Sequence, residues 1–396
     1  MSARIKTHRN TLAIWAGETE RSFWQRSTQV PVVNSVSFGY DQLDEWQDVA
    51  LEKAEGHIYS RNTNPTVQVF EEKVRVLENA DAAVSFASGM AAISDTLFTL
   101  LRPGDRIVSI KDSYGGTNRL FTGFLPGFGI DVSLCETTNH EQLEAEIVRG
   151  CKVLYLETPT NPTVKIVDIE RLAAAAHKVG AIVIVDNTFA TPINQNPLAL
   201  GADLVIHSAS KFLGGHADAL GGVLCGNREL VRRVYQFREI NGAVLSPDDA
   251  YRLLRGIKTL GIRIERQNEN AMSIAHYLSD HPAVDKVFYP GLPDHEHHDI
   301  AARQMRGYGG MLSFMVKGGF DAVKVFLPHL KLAHRAANLG AVETIVGPPA
   351  TTSHVECTAK ERERMGIPEG LVRYSTGIEN VEDLKADLEQ ALSILK

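Results

Sequence analysis

The chain has 396 residues, of which 44% are apolar and 22% are charged, so it is neither wholly disordered nor collagen-like. At about 100–200 residues per domain, this length predicts two or three domains. The formal net charge of −7 gives no electrostatic reason to bind nucleic acid or an anionic membrane surface, and we expect neither as a partner.

The cysteines and the first residues bear on where the protein works. Cys135, Cys151, Cys225 and Cys357 lie far apart with no CxxC pair, which predicts neither a disulfide framework nor a zinc site. Residues 1–6 are polar and lack the apolar core of a secretory signal. The apolar runs are far shorter than the roughly 20 residues that a membrane helix needs. We therefore expect a cytoplasmic protein.

An irregular region precedes the regular elements. Residues 1–62 mix prolines, aromatic residues and charges without steady periodicity, which predicts an arm that packs on another structure. From about residue 65, short apolar runs alternate with amphipathic segments. We predict strands at residues 83–86, 106–110, 153–156, 181–185 and 204–207, and helices at 65–78, 90–101, 141–148 and 168–179. This alternation predicts an α/β fold with a mostly parallel, doubly wound sheet.

The pattern changes after about residue 245. Residues 248–262, 263–281 and 381–395 have helical periodicity, whereas 283–289 and 311–316 have the character of strands. They predict a smaller C-terminal α+β domain. The resulting division is an arm at 1–62, a large domain at 63–247 and a small domain at 248–396.

Ligands of open α/β sheets collect beyond the carboxyl ends of the strands. There, Ser-Gly-Met at residues 88–90 opens a helix whose free N–H groups can bind an anion. Asp186 ends another strand, and Lys211 follows Ser208 and Ser210 after a third. Taken one at a time, the turn at 88–90 is most simply a tight turn, Asp186 a helix cap and Lys211 a surface lysine. Together, they are what pyridoxal phosphate needs: an anion cradle, a carboxylate for the ring nitrogen and a lysine that forms an imine.

Another run, HEHHD at residues 295–299, has residue types that bind metals. It follows a Pro-Gly-Leu-Pro loop, and chemistry based on pyridoxal phosphate needs no metal, so we predict that no metal binds. The sequence contains no HExxH or GxSxG motif and no GxGxxG after a strand, so zinc protease, serine hydrolase and dinucleotide-binding functions lack support.

Six ordered motifs carry a resemblance to a known family. They are YSRNTNPT at 59–66, DSYGGT at 112–117, ETPTNP at 157–162, DNTFATP at 186–192, HSASK at 207–211 and LVRYSTGIE at 371–379. The chain resembles the Cys/Met-metabolism pyridoxal phosphate enzymes from about residue 10 to its end. This family includes cystathionine γ-synthases, cystathionine lyases, methionine γ-lyases and O-acylhomoserine sulfhydrylases. The resemblance implies the aspartate aminotransferase-like fold, called fold type I, of pyridoxal phosphate-dependent transferases.

The resemblance also implies roles for residues that bind the cofactor, pyridoxal 5'-phosphate. Lys211 would bind it covalently and then move protons, and Asp186 would pair with the ring nitrogen. Tyr114 would stack on the ring and exchange a proton with the leaving group, while Asn161 would contact the ring hydroxyl. The other contacts would come from Ser88, Gly89, Met90, Thr188, Ser208 and Ser210.

Further implied roles concern the substrate and a second subunit. Arg373 would bind the substrate carboxylate with its two-pronged guanidinium, and Asn338 would lie beside the substrate. Arg119 would line the distal pocket, although a surface salt bridge explains it equally well. Tyr59 and Arg61, in the arm, would reach the phosphate of the neighbouring subunit. We therefore expect a homo-oligomer, a tetramer built as a dimer of dimers.

Departures from the family pattern narrow the choice among the reactions that the family catalyses. Gly116 stands where methionine γ-lyases typically carry cysteine, which counts against a dedicated enzyme of that kind. Ala337 replaces a glutamate that reads the distal amino group of cystathionine, and Asn338 replaces a common serine. Ala217 and Val33 are atypical as well.

We predict γ-elimination or γ-replacement on a small-molecule amino acid of the homoserine type with an O- or S-linked leaving group. O-acylhomoserine, cystathionine and canavanine are candidate substrates. The alternatives are a β-lyase acting on cysteine or cystathionine, an aminotransferase, and a non-catalytic relative that serves as a binding protein.

Overall fold

The structure of the protein is a computed structural model that describes residues 7–18, 27–352, 355, 360, 362 and 366–395. The polar segment at 1–6 and Cys357, which entered the predictions above, lie outside these residues.

A seven-stranded sheet is the framework of the first half of the chain. Its strands, in chain order, are β1 Ala82–Phe86, β2 Arg106–Ile110, β3 Asp131–Cys135, β4 Val153–Glu157, β5 Ile182–Asp186, β6 Leu204–Ser208 and β7 Gly222–Gly226. The spatial order is β1-β7-β6-β5-β4-β2-β3, and only β7 runs antiparallel to its neighbours. The five predicted strands are present to within one residue, whereas β3 and β7 were not predicted.

Helices cover both faces of this sheet. They are α3 Pro65–Glu78, α4 Gly89–Leu100, α5 Gly115–Arg119, α6 His140–Val148, α7 Ile169–Lys178, α8 Thr191–Asn194 and α9 Arg228–Asn241. Along β4, Val153 and Tyr155 pack with residues of α4 and α9, whereas Leu154 and Leu156 pack with residues of α6 and α7. Successive side chains of a strand point to opposite faces, so both faces are buried, as a parallel sheet requires. The prediction of a doubly wound α/β fold is confirmed.

A five-stranded mixed sheet forms in the second half of the chain. Its strands are β8 Val284–Phe288, β9 Met311–Val316, β10 His334–Arg335, β11 Ile345–Gly347 and β12 Leu371–Ser375, in the spatial order β10-β11-β12-β9-β8. The helices of this region are α10 Pro247–Ile257, α11 Leu260–Ser279, α12 His298–Gln304, α13 Gly319–Phe326 and α14 Val381–Leu392. Residues of α11, α13 and α14 bury the apolar side chains of this sheet in one core. The domain limits at 62 and 247 stay a prediction.

The N-terminal region contains α1 Arg9–Trp15 and α2 Leu43–Ala50. The first is fastened to α3 by the buried Lys73, whose ammonium donates to the carbonyls of Ala13 and Ile14 and pairs with Glu18 at 3.0 Å. The second helix leaves Leu43 and Trp46 exposed. Within the described part of the chain, no helix is long and apolar enough to cross a membrane.

Candidate active site

The turn from β1 into α4, where the sequence analysis predicts an anion cradle, is a capped helix start. Ser88 caps the helix by accepting a hydrogen bond from the Ala91 amide at 3.1 Å. Because the first N–H groups of a helix have no acceptor within it, the amides of Gly89 and Met90 are available to a phosphate. Gly89 also lies against Ser208 at the end of β6, since a Cβ on Gly89 would stand 2.7 Å from the Cβ of Ser208. The helix start and Ser208 are therefore neighbours, and their binding of a phosphate stays a prediction.

This close approach gives a testable expectation. Gly89→Ala should weaken pyridoxal phosphate binding by about 10-fold or more, because overpacking costs about 1–3 kcal/mol and here pushes Ser208 away from the helix start. Titration of cofactor-free protein followed by absorbance measures the affinity. Gly127→Ala is the matched control, since a Cβ at Gly127 would meet nothing within 4 Å. Equal affinities of the two variants would contradict the placement of the cradle.

Asp186 ends β5, and its carboxylate is held in place by Thr188. Oδ1 of Asp186 accepts hydrogen bonds from the Thr188 amide at 3.0 Å and from its hydroxyl at 2.5 Å, and Oδ2 accepts one from the hydroxyl of Tyr155 at 3.4 Å. The Ser208 amide donates to the same Thr188 hydroxyl at 2.9 Å. Burial raises the pKa of Asp186, because a buried charge loses its hydration. A cationic ring nitrogen would offset that cost.

Lys211 follows β6 and faces residues from the second sheet. Its Nζ donates to Oδ1 of Asn338 at 2.7 Å, and the carbonyl of Asn338 accepts from Nη2 of Arg373 at 3.1 Å. Burial and the nearby Arg373 guanidinium lower the pKa of Lys211 to about 8. Arg373 is itself buried in β12, and burial lowers its pKa to about 10. Three residues far apart in the chain thus form one cluster.

Glu157 is a central residue of the site for which the sequence analysis predicted no role. It ends β4, its Oε2 accepts from the Tyr114 amide at 2.7 Å, and its Oε1 accepts from the Asn161 amide at 3.2 Å. Oδ1 of Asn161 accepts from Nη1 of Arg373 at 3.1 Å. Burial and the neighbouring Asp186 raise the pKa of Glu157. The hydrogen bonds from the Tyr114 and Asn161 amides act in the opposite direction but do not cancel this rise. Its position directly after an apolar run was the signal that could have identified it.

The ring of Tyr114 lies beside the cradle. A Cβ on Gly116 would stand 2.8 Å from Cε1 of Tyr114 and 3.0 Å from Sδ of Met90, so both side chains pack against Gly116. A cysteine at position 116 would therefore require the Tyr114 ring or the Met90 side chain to move. Tyr114 itself remains partly exposed, which leaves its ring accessible to a ligand.

The contacts described for the site do not include three predicted site residues, Tyr59, Arg61 and Arg119. The described contacts of Arg61 are a hydrogen bond to the carbonyl of Glu239 at 2.6 Å and the ring of Tyr59 at 5.6 Å. Tyr59 is partly exposed. Arg119 is the last residue of α5, and its side chain is exposed. The roles predicted for these residues stay predictions, and those of Tyr59 and Arg61 require a second subunit.

The histidine-rich run at 295–299 makes ordinary contacts. Nδ1 of His297 bonds the carbonyl of Ile166 at 3.1 Å, and Nδ1 of His298 bonds that of Pro290 at 2.8 Å. Burial lowers the pKa of His295 to about 4. Among the described residues, no group of three or more side chains of metal-ligating types is placed to hold a metal ion.

The donor set fits pyridoxal phosphate. The helix start at 89–90 with Ser208 suits a dianionic phosphate, the buried Asp186 suits a protonated ring nitrogen, and the low pKa of Lys211 suits imine formation. Ser210, whose hydroxyl accepts from the Gly221 amide at 3.0 Å, directly precedes Lys211 in the loop after β6. Fold and site together define a pyridoxal phosphate-dependent enzyme of the α/β class.

Comparisons with known proteins agree with this class. The model of the family described as Cys/Met metabolism PLP-dependent enzyme matches residues 10–393. An L-methionine γ-lyase of Fusobacterium nucleatum subsp. polymorphum is 45% identical over 96% of this chain and 97% of that protein. A cystathionine γ-lyase of Bacillus subtilis is 43% identical over 90% of this chain and 94% of that protein. A crystal structure of cystathionine γ-synthase from Xanthomonas oryzae pv. oryzae superposes with a TM-score of 0.93 at 37% identity, covering 98% of each chain.

The chain therefore belongs to the Cys/Met-metabolism family of pyridoxal phosphate-dependent enzymes. This confirms the predictions of fold type I, of the cofactor and of an enzyme. The predicted chemistry, γ-elimination or γ-replacement, is confirmed at the level of the class, since the relatives are named as γ-lyases and γ-synthases.

Proposed function

We propose that the protein catalyses γ-elimination or γ-replacement on an amino acid of the homoserine type with an O- or S-linked leaving group. The observation that carries this proposal is the position of Asn338 between Lys211 and Arg373. A proton-transferring amine and a receptor for a carboxylate thereby share one neighbour. This is the arrangement needed to act on the Cα of an amino acid.

The residues divide the work. Arg373 binds the α-carboxylate of the substrate, and its guanidinium is oriented by Asn161 and Asn338. Lys211 accepts the Cα proton as a neutral amine, which its pKa of about 8 makes available near neutral pH. Bound pyridoxal phosphate supplies the electron sink for the loss of the Cα and Cβ protons. Tyr114 delivers a proton to the leaving group at Cγ.

The residues beside Asn338 favour substrates that carry no distal amino group. Ala337 is exposed beside Asn338, and its methyl group cannot bind a cation as a glutamate would. We therefore rank O-acetyl- and O-succinylhomoserine above cystathionine, with the guanidinooxy analogue canavanine as a further candidate. The names of the relatives add methionine to the substrates that deserve testing. Elimination consumes one water and gives 2-oxobutanoate, ammonia and the protonated leaving group, whereas replacement exchanges the leaving group for a thiol.

The test is an end-product assay with O-acetylhomoserine, O-succinylhomoserine, cystathionine, methionine, cysteine and canavanine, each with and without a thiol. Diversion of an O-acylhomoserine into a thioether identifies a γ-replacement enzyme, and homocysteine is the corresponding product when the added nucleophile is hydrogen sulfide. Release of 2-oxobutanoate that a thiol does not change identifies a γ-lyase. Release of pyruvate alone would contradict the proposal, because pyruvate marks β-elimination. Dominant transamination would contradict it too, and no turnover with any substrate would favour the binding protein.

A homo-oligomer, at least a dimer and by resemblance a tetramer, is part of the proposal, and so is a cytoplasmic location. Support for the oligomer comes from the arm. Arg61 donates to the carbonyl of Glu239 on α9 and lies over the ring of Tyr59, and no described contact joins either residue to the Lys211 cluster of its own chain, so both are candidates for the site of a second copy.

Mixing of subunits tests this sharing. Lys211→Ala and Arg61→Ala proteins should each have little activity, but unfolding and refolding them together should restore about a quarter of the wild-type value. A mixed dimer has one intact site, because both defects fall in the other site. Measured activity of the mixture against each protein refolded alone is the readout. If each active site used its own Arg61, every site in the mixture would be damaged and no activity would return.

A further inference from the structure

Glu157 connects two loops that carry candidate site residues. One loop follows β2 and includes Tyr114, and the other follows β4 and includes Asn161. The two oxygens of this single carboxylate accept the backbone amides of those residues at 2.7 and 3.2 Å. Only 5% of Glu157 is exposed, so water does not compete for these hydrogen bonds. The loops are therefore fixed to each other through one side chain.

The same residue is linked to the substrate receptor. Asn161 donates its amide to Glu157, while its side-chain oxygen accepts from Arg373 at 3.1 Å. Glu157 also pairs with Asp186 in the register of β4 and β5, at the carboxyl edge of the sheet. Glu157 thus lies beside Asp186 in the sheet, and it is linked to Tyr114 directly and to Arg373 through Asn161.

We propose that Glu157 is a positioning residue, which fixes the Tyr114 ring and the Arg373 guanidinium relative to each other by holding the Tyr114 and Asn161 amides. The inference rests on the proposed function, since it assigns to these groups the binding of an amino acid. Glu157 touches backbone amides and acts on the reaction only through Tyr114 and Arg373. Its loss should therefore weaken substrate binding and turnover while the cofactor stays bound by Lys211, Asp186 and the cradle.

The probe is L-2-aminobutanoate, which has the α-amino and α-carboxylate groups of the substrate but no γ leaving group. Its binding to the holoenzyme is followed by the change in the cofactor absorbance. In Glu157→Gln, one carboxylate oxygen is replaced by an NH₂ group that cannot accept a hydrogen bond. We expect the Kd for 2-aminobutanoate to rise by about 10-fold or more, as expected when a buried backbone amide loses its acceptor. The cofactor content should stay at the wild-type level.

Asp387→Asn is the matched control. Asp387 is likewise a buried carboxylate that accepts two backbone amides, those of Lys331 and Leu332, but it lies on α14 in the core of the second sheet. Its substitution should lower thermal stability and leave the Kd within about two-fold of the wild type. Glu157→Asp, whose carboxylate is one methylene shorter and cannot reach both amides, should reproduce the effect of Glu157→Gln.

The measured Kd values separate a failure of the positioning role from a failure of the proposed function. A wild-type Kd in both Glu157 variants, or an equal loss in Asp387→Asn, would overturn the positioning role and leave the proposed function standing. A wild-type holoenzyme whose spectrum does not respond to 2-aminobutanoate would overturn the proposed function, and with it this assignment.

Discussion

Lys211→Ala should abolish covalent binding of the cofactor and lower the turnover number by at least about 10²–10⁴-fold, the contribution of a positioned proton-transfer group. Alanine can neither form the imine nor carry the Cα proton. Borohydride reduction followed by mass spectrometry measures covalent attachment, and 2-oxobutanoate release measures turnover. Lys317→Ala is the control, because Lys317 is an exposed lysine that bonds the Pro282 carbonyl. Cofactor still fixed by reduction in the Lys211 variant would refute the role.

The pKa of Lys211 predicts how the rate of cofactor attachment depends on pH. Burial and Arg373 lower this pKa to about 8, so the nucleophilic neutral amine predominates above that pH. Attachment of pyridoxal phosphate to cofactor-free protein should therefore accelerate as pH rises and level off above a midpoint of about 8. Arg373→Met should move the midpoint upward, because it removes a positive charge that disfavours the ammonium. A midpoint near the ordinary lysine value of about 10.4 would contradict the burial of this amine.

Arg373→Lys should lower kcat/KM by about 10–100-fold, mainly through a higher KM. The guanidinium contacts both Asn161 and Asn338 and has further N–H groups for a substrate carboxylate, whereas an ammonium is a single point of charge. Loss of one hydrogen bond between charged groups costs about 1.5–3 kcal/mol, which sets this range. Steady-state kinetics with the best substrate of the panel measures the effect.

The control for that substitution is Arg335→Lys, in the short strand β10 of the same sheet, where the side chain is exposed. It should keep KM within about two-fold of the wild type. A normal KM in Arg373→Lys would show that the carboxylate binds elsewhere.

The strands of the large sheet and the residues at their ends could be predicted because both follow from local sequence. A buried parallel strand is a short apolar run, and ligand-binding residues come directly after it, as Asp186 and Ser208 do. β3 was missed because it is an edge strand, Asp131–Cys135, with only its last residue fully buried. β7 was missed because Gly222–Gly226 begins and ends with glycine and is antiparallel to its neighbouring strands.

The contacts that define the site depend on tertiary packing, and sequence alone does not give them. Lys211 meets Asn338 across 127 residues of chain, and Arg373 meets Asn161 across 212. Lys211 was predicted from its position after a strand, whereas Asn161, Asn338 and Arg373 were predicted through the family resemblance. Glu157 lay in a motif that was recognised, yet its role depends on the direction of two backbone amides, Tyr114 and Asn161, which no pattern of residue types encodes.

Bond breaking at Cγ requires the enzyme to remove both a Cα and a Cβ proton from its substrate. Hydrogen exchange of L-2-aminobutanoate in deuterium oxide, followed by proton NMR, tests this directly, because the compound undergoes the proton transfers but has no group to lose. We predict that the holoenzyme exchanges the Cα hydrogen and the Cβ hydrogens, and that Lys211→Ala exchanges neither. Exchange at Cα alone would contradict the account, since that is the behaviour of a β-lyase or an aminotransferase.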